Sequence, residues 1–364
     1  MDRTLYILSS GTLRRKDGAL LMEAKDVPPI HVPVEAVEEI LVFGEVSMNK
    51  RLLELLTQHG IVLHFFDYHG SYAGTYWPRG AEGGGPVLLA QAEHWLDEAK
   101  RHVLATSFIA GAIANMRCVA LRYRRRGVEV SDILEGLDRY AEQLPRTEDG
   151  PSLMGIEGSA RRCYYQLFDR VAQGRIFKLG KRARRPPTSP MNCLISFLNS
   201  VCYAMVLARI SRTHLDPRIG FLHDPSDRRL SLHLDLAEVF KPLLVDRLIF
   251  SLVNKGRLHA KDFERREGGA TFLTEDARRM VLTAWDDRLN GTIGYASARR
   301  PTGKTAHPAP PSALGHPARR ASWRHLVLME ARKVQRHVLG GTPYEPFVYD
   351  RDMEDDGDVR ADDL

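Results

Sequence analysis

A single change of hydrophobic period divides this chain and limits what it can fold into. Up to about residue 80 the apolar residues alternate or run in short blocks bounded by turn residues, the two-residue period of β-strands. From Leu88 onward they recur at spacings of three and four, the period of helices. The change falls on Arg79-Gly-Ala-Glu-Gly-Gly-Gly-Pro86, a composition that marks a hinge rather than an element. Strand patterns followed by unbroken helical patterns predict an α+β protein. A small N-terminal β-rich domain (1–80) and a linker (81–87) lead into a larger all-α domain (88–348). At 364 residues the chain is long enough for two cores.

In the first part, Leu5–Leu8 starts a strand. Leu13–Met22 is a hairpin pattern turning at Asp17-Gly18, and Val37–Phe43 and Ile61–Phe66 are apolar strands. Lys50–His59 carries leucines at helical spacing and ends at Gly60, the residue type that closes helices. In the second part, 88–126 reads as one long helix or two. Helical patterns then cover 130–143, 152–168, 192–210, 235–254, 274–289 and 323–339, and Leu230–Asp235 alternates like a short strand. Residues 299–321, rich in Pro, Ala, Arg and His, read as a flexible insertion, and 349–364 as a disordered acidic tail.

Charge narrows the class of partner. The net charge is +6, but Asp350–Leu364 carries eight acids against Arg351 and Arg360, which leaves the rest of the chain at +12. A basic body suits a polyanion, with phosphate first among candidates. The basic run Lys178, Lys181, Arg182, Arg184 and Arg185 and the run Arg122, Arg124, Arg125 and Arg126 read as sequence-independent phosphate contacts or as solvated faces. No apolar run approaches the ~20 residues of a membrane span, and the N-terminus lacks the apolar core of a signal peptide. Cytoplasm is the expectation. Cys118, Cys163, Cys193 and Cys202 form no C-x-x-C pair and read as buried thiols in a reducing compartment. No phosphate-binding G-x-x-x-x-G-K-[ST] loop and no G-x-S-x-G elbow occurs.

Three residues stand in distinctive settings: Glu157 in Gly155-Ile-Glu-Gly158, His223 in Gly220-Phe-Leu-His-Asp-Pro225, and Glu238 in Leu234-Asp-Leu-Ala-Glu-Val-Phe-Lys-Pro242. Two carboxylates and an imidazole can hold a hard divalent cation and leave positions open for water and phosphate. Each residue also has a plain reading. Glu157 suits the first turn of a helix, His223 a loop bonded to a carbonyl, and Asp235-x-x-Glu238 a capping box. Glycines beside Glu157 would let a nucleic-acid backbone come close. Lys241 and Arg247 follow on the same helix and could hold a phosphate or be exposed cations.

Taken together, these settings resemble the CRISPR-associated protein one family, the metal-dependent DNA integrase of CRISPR adaptation. The family's G-x-E-G, G-[FY]-x-H and D-L-x-[ED]-x-[FY]-[RK]-P motifs occur here in order. Arg185-Pro-Pro-Thr-Ser-Pro-Met-Asn-Cys-Leu-Ile-Ser-Phe197 is similar to a fourth family motif, and Asn115 matches a family Asn. The resemblance runs from about Thr4 to Phe347. Ser189 stands where the family often has Asp, and Ala112 near a place where Lys is common.

The resemblance implies a Mg²⁺ or Mn²⁺ ion on Glu157, His223 and Glu238, with Asp235 as a supporting member of the catalytic set. Arg182, Arg184, Arg185, Asn192, Lys241 and Arg247 are the expected DNA contacts. The resemblance also implies that a 3′-hydroxyl of a short double-stranded DNA fragment attacks a phosphodiester of the CRISPR repeat. The expected partners are DNA, a second copy of the chain joined through the β domain, a dimer of CRISPR-associated protein two, and in some systems the fourth-numbered CRISPR-associated nuclease. A stand-alone divalent-metal nuclease and a non-catalytic DNA-architectural subunit are the alternative functions.

Overall fold

A computed structural model describes residues 3–25, 28–67, 70–79, 84–183, 186–225, 230–295 and 319–349. The expected division holds: a β-rich N-terminal part is followed by a mostly helical one. Strands β1 (Arg3–Ile7), β5 (Val37–Val42) and β7 (Val62–Phe66) run parallel, and β8 (Tyr72–Tyr76) closes that sheet antiparallel to β7. A second sheet has the order β4 (Ile30–Pro33), β3 (Ala19–Ala24), β2 (Gly11–Lys16), β6 (Val46–Met48). Asp17 takes the left-handed conformation (φ 54°) at the β2–β3 turn. Helix α1 spans Lys50–His59, begins on the Asn49 side chain and ends on Gly60 at φ 64°. Leu13, Leu20, Ile40, Leu52, Leu56 and Leu63 form the core of this part.

The helical part begins at Gly85, inside the expected linker, because Pro86 at the first turn suits a helix start. Helix α2 (Gly85–Leu96) and α3 (Glu98–Arg125) are separate, broken at Asp97, whose side chain accepts from Lys100 N at 3.0 Å and starts α3 afresh. Then follow α4 (Ser131–Gln143), α5 (Gly150–Val171), α6 (Pro190–Ile210), α7 (Leu232–Lys241), α8 (Arg247–Asn254), α9 (Glu275–Asn290) and α10 (Trp323–Val338). Two short antiparallel strand pairs, β9–β10 (Phe263–Arg265 with Thr271–Leu273) and β11–β12 (Thr292–Tyr295 with Arg319–Ser322), interrupt the helices.

Four expectations are corrected. Leu230–Asp235 is not a strand: Leu232 opens α7, and His233 lies edge-on to Tyr203 in the interior. Arg319–Ala321, expected in the flexible insertion, belongs to β12; residues 299–318 of that insertion and 350–364 of the tail lie outside the described residues. Tyr349, expected at the start of the acidic tail, is buried. By length and composition α3 and α6 are apolar enough to cross a bilayer, contrary to the reading that no run came near; 61% and 78% of the relevant stretches are buried within the fold, as in core helices.

The two parts are joined by buried charge. Glu38 and Glu39 on β5 meet Arg209 of α6, and Arg324 of α10 reaches Glu39 at 2.8 Å and Thr4 at 2.6 Å. Tyr6 completes the contact at Asp286 of α9. The residues flanking the expected hinge are therefore tied together by paired charges, which are costly to separate once buried. All four cysteines are free, and burial pushes the Cys193 and Cys202 thiols up to about 12.

Candidate active site

Glu157, His223 and Glu238 come from three places: the third turn of α5, the 220–225 loop, and the second turn of α7. The loop is built on one carboxylate. Asp235 accepts from the backbone N–H groups of Phe221 (2.6 Å), Leu222 (3.1 Å) and His223 (3.0 Å), and from the His223 ring at Nδ1 (2.8 Å). Its position in the first turn of α7 suits its charge. The capping-box reading of Asp235 and Glu238 is corrected, since Ser231 precedes the helix and Asp235 faces the loop. Gly220 is required here: a Cβ would lie 2.9 Å from the Asp235 carboxylate and from Ser231. Burial would lower the His223 pKa, but the hydrogen bond and charge of Asp235 outweigh it and raise it. A proton on Nδ1 facing Asp235 leaves Nε2 of the neutral ring as the available ligand atom.

Glu238 is buried and held from both sides. Arg161 of α5 donates to Oε2 and Lys241, one turn further on, donates to Oε1. Burial raises its carboxyl pKa, yet Lys241 and Arg161 outweigh burial and hold it at about 2. Glu157, four residues before Arg161 and partly exposed, lies 3.9 Å from Arg161 Nε. The two expected carboxylate ligands thus share one guanidinium, and the Glu238 and His223 charges act on each other. Among the described residues no three His, Cys, Asp or Glu side chains converge closely enough to hold a metal ion, and Glu238 is paired with two cations. The donor types nevertheless fit a hard divalent cation: two carboxylates that already face a common positive charge, and an imidazole with Nε2 free.

Helix α7 does not continue smoothly. Pro242 lacks the N–H that would bond the Glu238 carbonyl, and a π turn (Pro242–Asp246) leads into α8. This turn places Asp246 beside Arg161, with Oδ2 3.9 Å from NH1. Burial pushes the Asp246 carboxyl up to about 6, with Arg161 and Lys241 opposing. Asn115 of α3 holds α7 beside the site: Nδ2 donates to Val239 O and Phe347 O at 2.9 Å each, and Oδ1 accepts from Tyr349 N at 2.8 Å. Asn115 therefore joins α7 to the C-terminal segment.

The residues expected on DNA divide. Asn192 is buried, and its amide holds the preceding loop through Lys181 O (3.1 Å) and Ala183 N (2.8 Å) rather than reaching outward. Arg182 donates to Asn192 Oδ1 and Ser196 Oγ at 2.9 Å each. Ser189, in place of the family's frequent Asp, caps α6 by accepting from Asn192 N. Arg184 and Arg185 lie outside the described residues. Lys241 is buried against Glu238 and Tyr203, and the Arg247 guanidinium lies over the Tyr349 ring at 5.2 Å. Arg124, Arg125 and Arg126 at the end of α3 are exposed. Arg161 and Asp246 escaped the sequence reading. The four-residue spacing of Glu157 and Arg161, which puts both on one helix face, was the signal for Arg161.

The chain is similar over nearly its whole length to known proteins. Residues 5–287 match the family described as CRISPR associated protein Cas1. The chain is 42% identical over 348 residues to CRISPR-associated endonuclease Cas1 2 of Thermodesulfovibrio yellowstonii, covering 96% of this chain and 99% of that protein. It resembles the solved structure of a CAS1 protein from Thermotoga maritima with a TM-score of 0.80 and 36% identity, covering 94% of this chain and 98% of that one. A casposase bound to integration product shares the fold at a TM-score of 0.79, with 18% identity over 100% of this chain and 99% of that one.

Proposed function

The chain belongs to the CRISPR-associated Cas1 family, and from that premise we propose that it is a divalent-metal DNA integrase and endonuclease that inserts short DNA fragments into a CRISPR array. Its close relatives are named endonucleases, and a more distant protein of the same fold is a casposase on its integration product. The observation that carries the reading is the convergence of Glu157 and Glu238 on Arg161, beside a His223 whose ring is fixed by Asp235.

Glu157, Glu238 and His223 Nε2 would hold Mg²⁺ or Mn²⁺. When bound, such an ion polarises a phosphoryl oxygen and lowers the pKa of an attacking hydroxyl. Asp235 keeps the Nδ1 proton in place, so that the imidazole presents Nε2. Lys241, paired with Glu238, is the cation proposed for a phosphate oxygen. Arg184, Arg185 and the exposed end of α3 supply backbone contacts that do not read sequence. The reaction exchanges one phosphodiester for another and needs no nucleotide cofactor.

A dimer through the β-rich part, two of which flank a dimer of the Cas2 partner, is the proposed assembly. Part of a longer chain in a Cas6-RT-Cas1–Cas2 complex shares the fold. The proposed location is the cytoplasm.

The test is strand transfer. A fragment with a 3′-hydroxyl should join to repeat DNA in the presence of Mn²⁺ or Mg²⁺ and of Cas2. The Glu157→Ala, His223→Ala and Glu238→Gln variants should bind DNA but form no joined product. Cleavage without any joined product would favour a stand-alone nuclease.

A further inference from the structure

Arg161 stands among three carboxylates that it does not satisfy equally. Its NH2 donates to Glu238 Oε2, its Nε lies 3.9 Å from Glu157 Oε1, and its NH1 lies 3.9 Å from Asp246 Oδ2. Neither Arg161 Nε nor Asp246 Oδ2 has a hydrogen-bond partner, although both side chains are more than nine-tenths buried. The buried guanidinium and the Asp246 carboxylate, which also has the Tyr164 hydroxyl beside it, face each other just beyond hydrogen-bond length, and buried groups normally close to full hydrogen bonds.

We propose that Arg161 is a resident cation of the metal-free site that competes with the divalent ion, and that Asp246 is the acceptor that receives it when Glu238 turns to the metal. This rests on the metal reading above. Three physical points support it. An arginine cannot leave Glu238 by losing its proton, so it must be displaced to another acceptor. Lys241, which holds the other oxygen of Glu238, has no second carboxylate within ion-pair distance among the described residues; its further contact is the Tyr203 hydroxyl at 3.5 Å. Arg161 alone among the described residues links both expected carboxylate ligands and also a third carboxylate. Without such a cation, Glu157 and Glu238 would repel each other in the empty site. With it, the empty site stays folded and metal affinity is set by how readily Arg161 transfers to Asp246.

The experiment is Mn²⁺ binding to the purified full chain without DNA, followed by the electron paramagnetic resonance of free Mn²⁺ and by calorimetry, with circular dichroism on every variant. Arg161→Gln removes the competitor and should tighten Mn²⁺ binding about tenfold. Asp246→Asn removes the receiving carboxylate and should weaken it about tenfold. The double variant should follow Arg161→Gln, because Asp246 has nothing left to receive. Weaker or unchanged binding in Arg161→Gln would overturn the proposal and make Arg161 a scaffold of the site. If Arg161→Gln does not fold, Asp246→Asn decides alone, and unchanged or tighter binding there overturns the proposal. Glu157→Gln and Glu238→Gln separate the two levels. If they abolish Mn²⁺ binding while Asp246→Asn does not move it, the metal reading stands and this inference falls. If the wild-type chain binds no Mn²⁺, or binds it regardless of Glu157 and Glu238, both fall.

Discussion

Asp235 holds His223 twice, at the backbone N–H (3.0 Å) and at ring Nδ1 (2.8 Å), so one buried carboxylate fixes both the path of the loop and the tautomer of the ring. Two further loop N–H groups end on its other oxygen, and Gly220 leaves the room this requires. A side chain that makes four such bonds is part of the local fold, and it turns His223 Nε2, the ring atom proposed above for the metal, away from itself.

Asp235 also sets a pH dependence. Its carboxylate raises the His223 pKa above the ordinary ~6.5. A ligand must be neutral at Nε2, so Mn²⁺ binding should fall as pH drops through that raised value. In Asp235→Asn the carboxylate is gone and the imidazole protonates only at lower pH. The acid limb of Mn²⁺ binding should therefore move down in pH, while maximal strand transfer falls about 10- to 100-fold because the ring and loop lose their anchor. A pH profile of strand transfer and Mn²⁺ affinity for both proteins checks this. An acid limb at the same pH in both would remove His223 from the site.

Glu238 and Glu157 should differ in stability although both are expected ligands. Glu238→Ala leaves Arg161 and Lys241 buried without their shared carboxylate, a change that costs roughly 3–5 kcal/mol. Glu157→Ala removes a partly exposed side chain with one 3.9 Å contact and should cost under about 1 kcal/mol. Urea unfolding of the two variants gives the comparison. Equal losses would mean that the Glu238 pairs contribute nothing beyond what water would supply.

The fold was legible where one local rule dominates. The Asp17-Gly18 turn, the Gly60 helix end and the apolar core of α6 follow from turn chemistry and period alone. The reading failed where a tertiary partner decides. Leu230-Ser-Leu-His-Leu-Asp235 alternates like a strand, but Asp235 is drawn to the 220–223 loop and the segment becomes the start of a helix. The short edge strands β4, β6 and β8 carry too few apolar residues to announce themselves. In the site, Glu157, His223 and Glu238 are legible as candidates through their motifs. Asp246 is not, because its place depends on the π turn that Pro242 sets off. Asn192 shows the converse: an Asn in a conserved-looking motif is easily assigned to DNA, yet its amide is spent on the loop before α6.

Gly155 and Gly158 flank Glu157 on α5, and a Cβ at either would meet no atom within 4 Å beyond its chain neighbours and the nearby backbone of its own helix. Alanine there relieves the entropy of a helical glycine and should raise stability by about 0.5–1 kcal/mol. If a DNA backbone passes close to this face, the added methyl should lower strand transfer while the melting temperature rises. Thermal melts and integration assays on Gly158→Ala and Gly155→Ala make the comparison. Variants that are more stable and fully active would place the DNA away from this face of α5.

The arginines before α6 should separate by role. Arg182 is tied to Asn192 and Ser196, so Arg182→Ala should loosen the 181–183 loop and cost about 1.5–3 kcal/mol of stability, that of a hydrogen-bonded charged group. Arg184 and Arg185 precede Pro186-Pro187, and the wider run carries Lys178 and Lys181. Closely spaced cations ahead of two prolines suit repeated phosphate contacts better than reading of one base, which needs a single side chain held in a groove. Neutralising Arg184 and Arg185 together should weaken binding to every duplex by a similar factor and lower the slope of log affinity against log salt by about one per lost contact. Filter binding over a salt series on two unrelated duplexes measures both quantities. A loss confined to one duplex would mean that these arginines read bases, and an unchanged salt slope would mean that they face water alone.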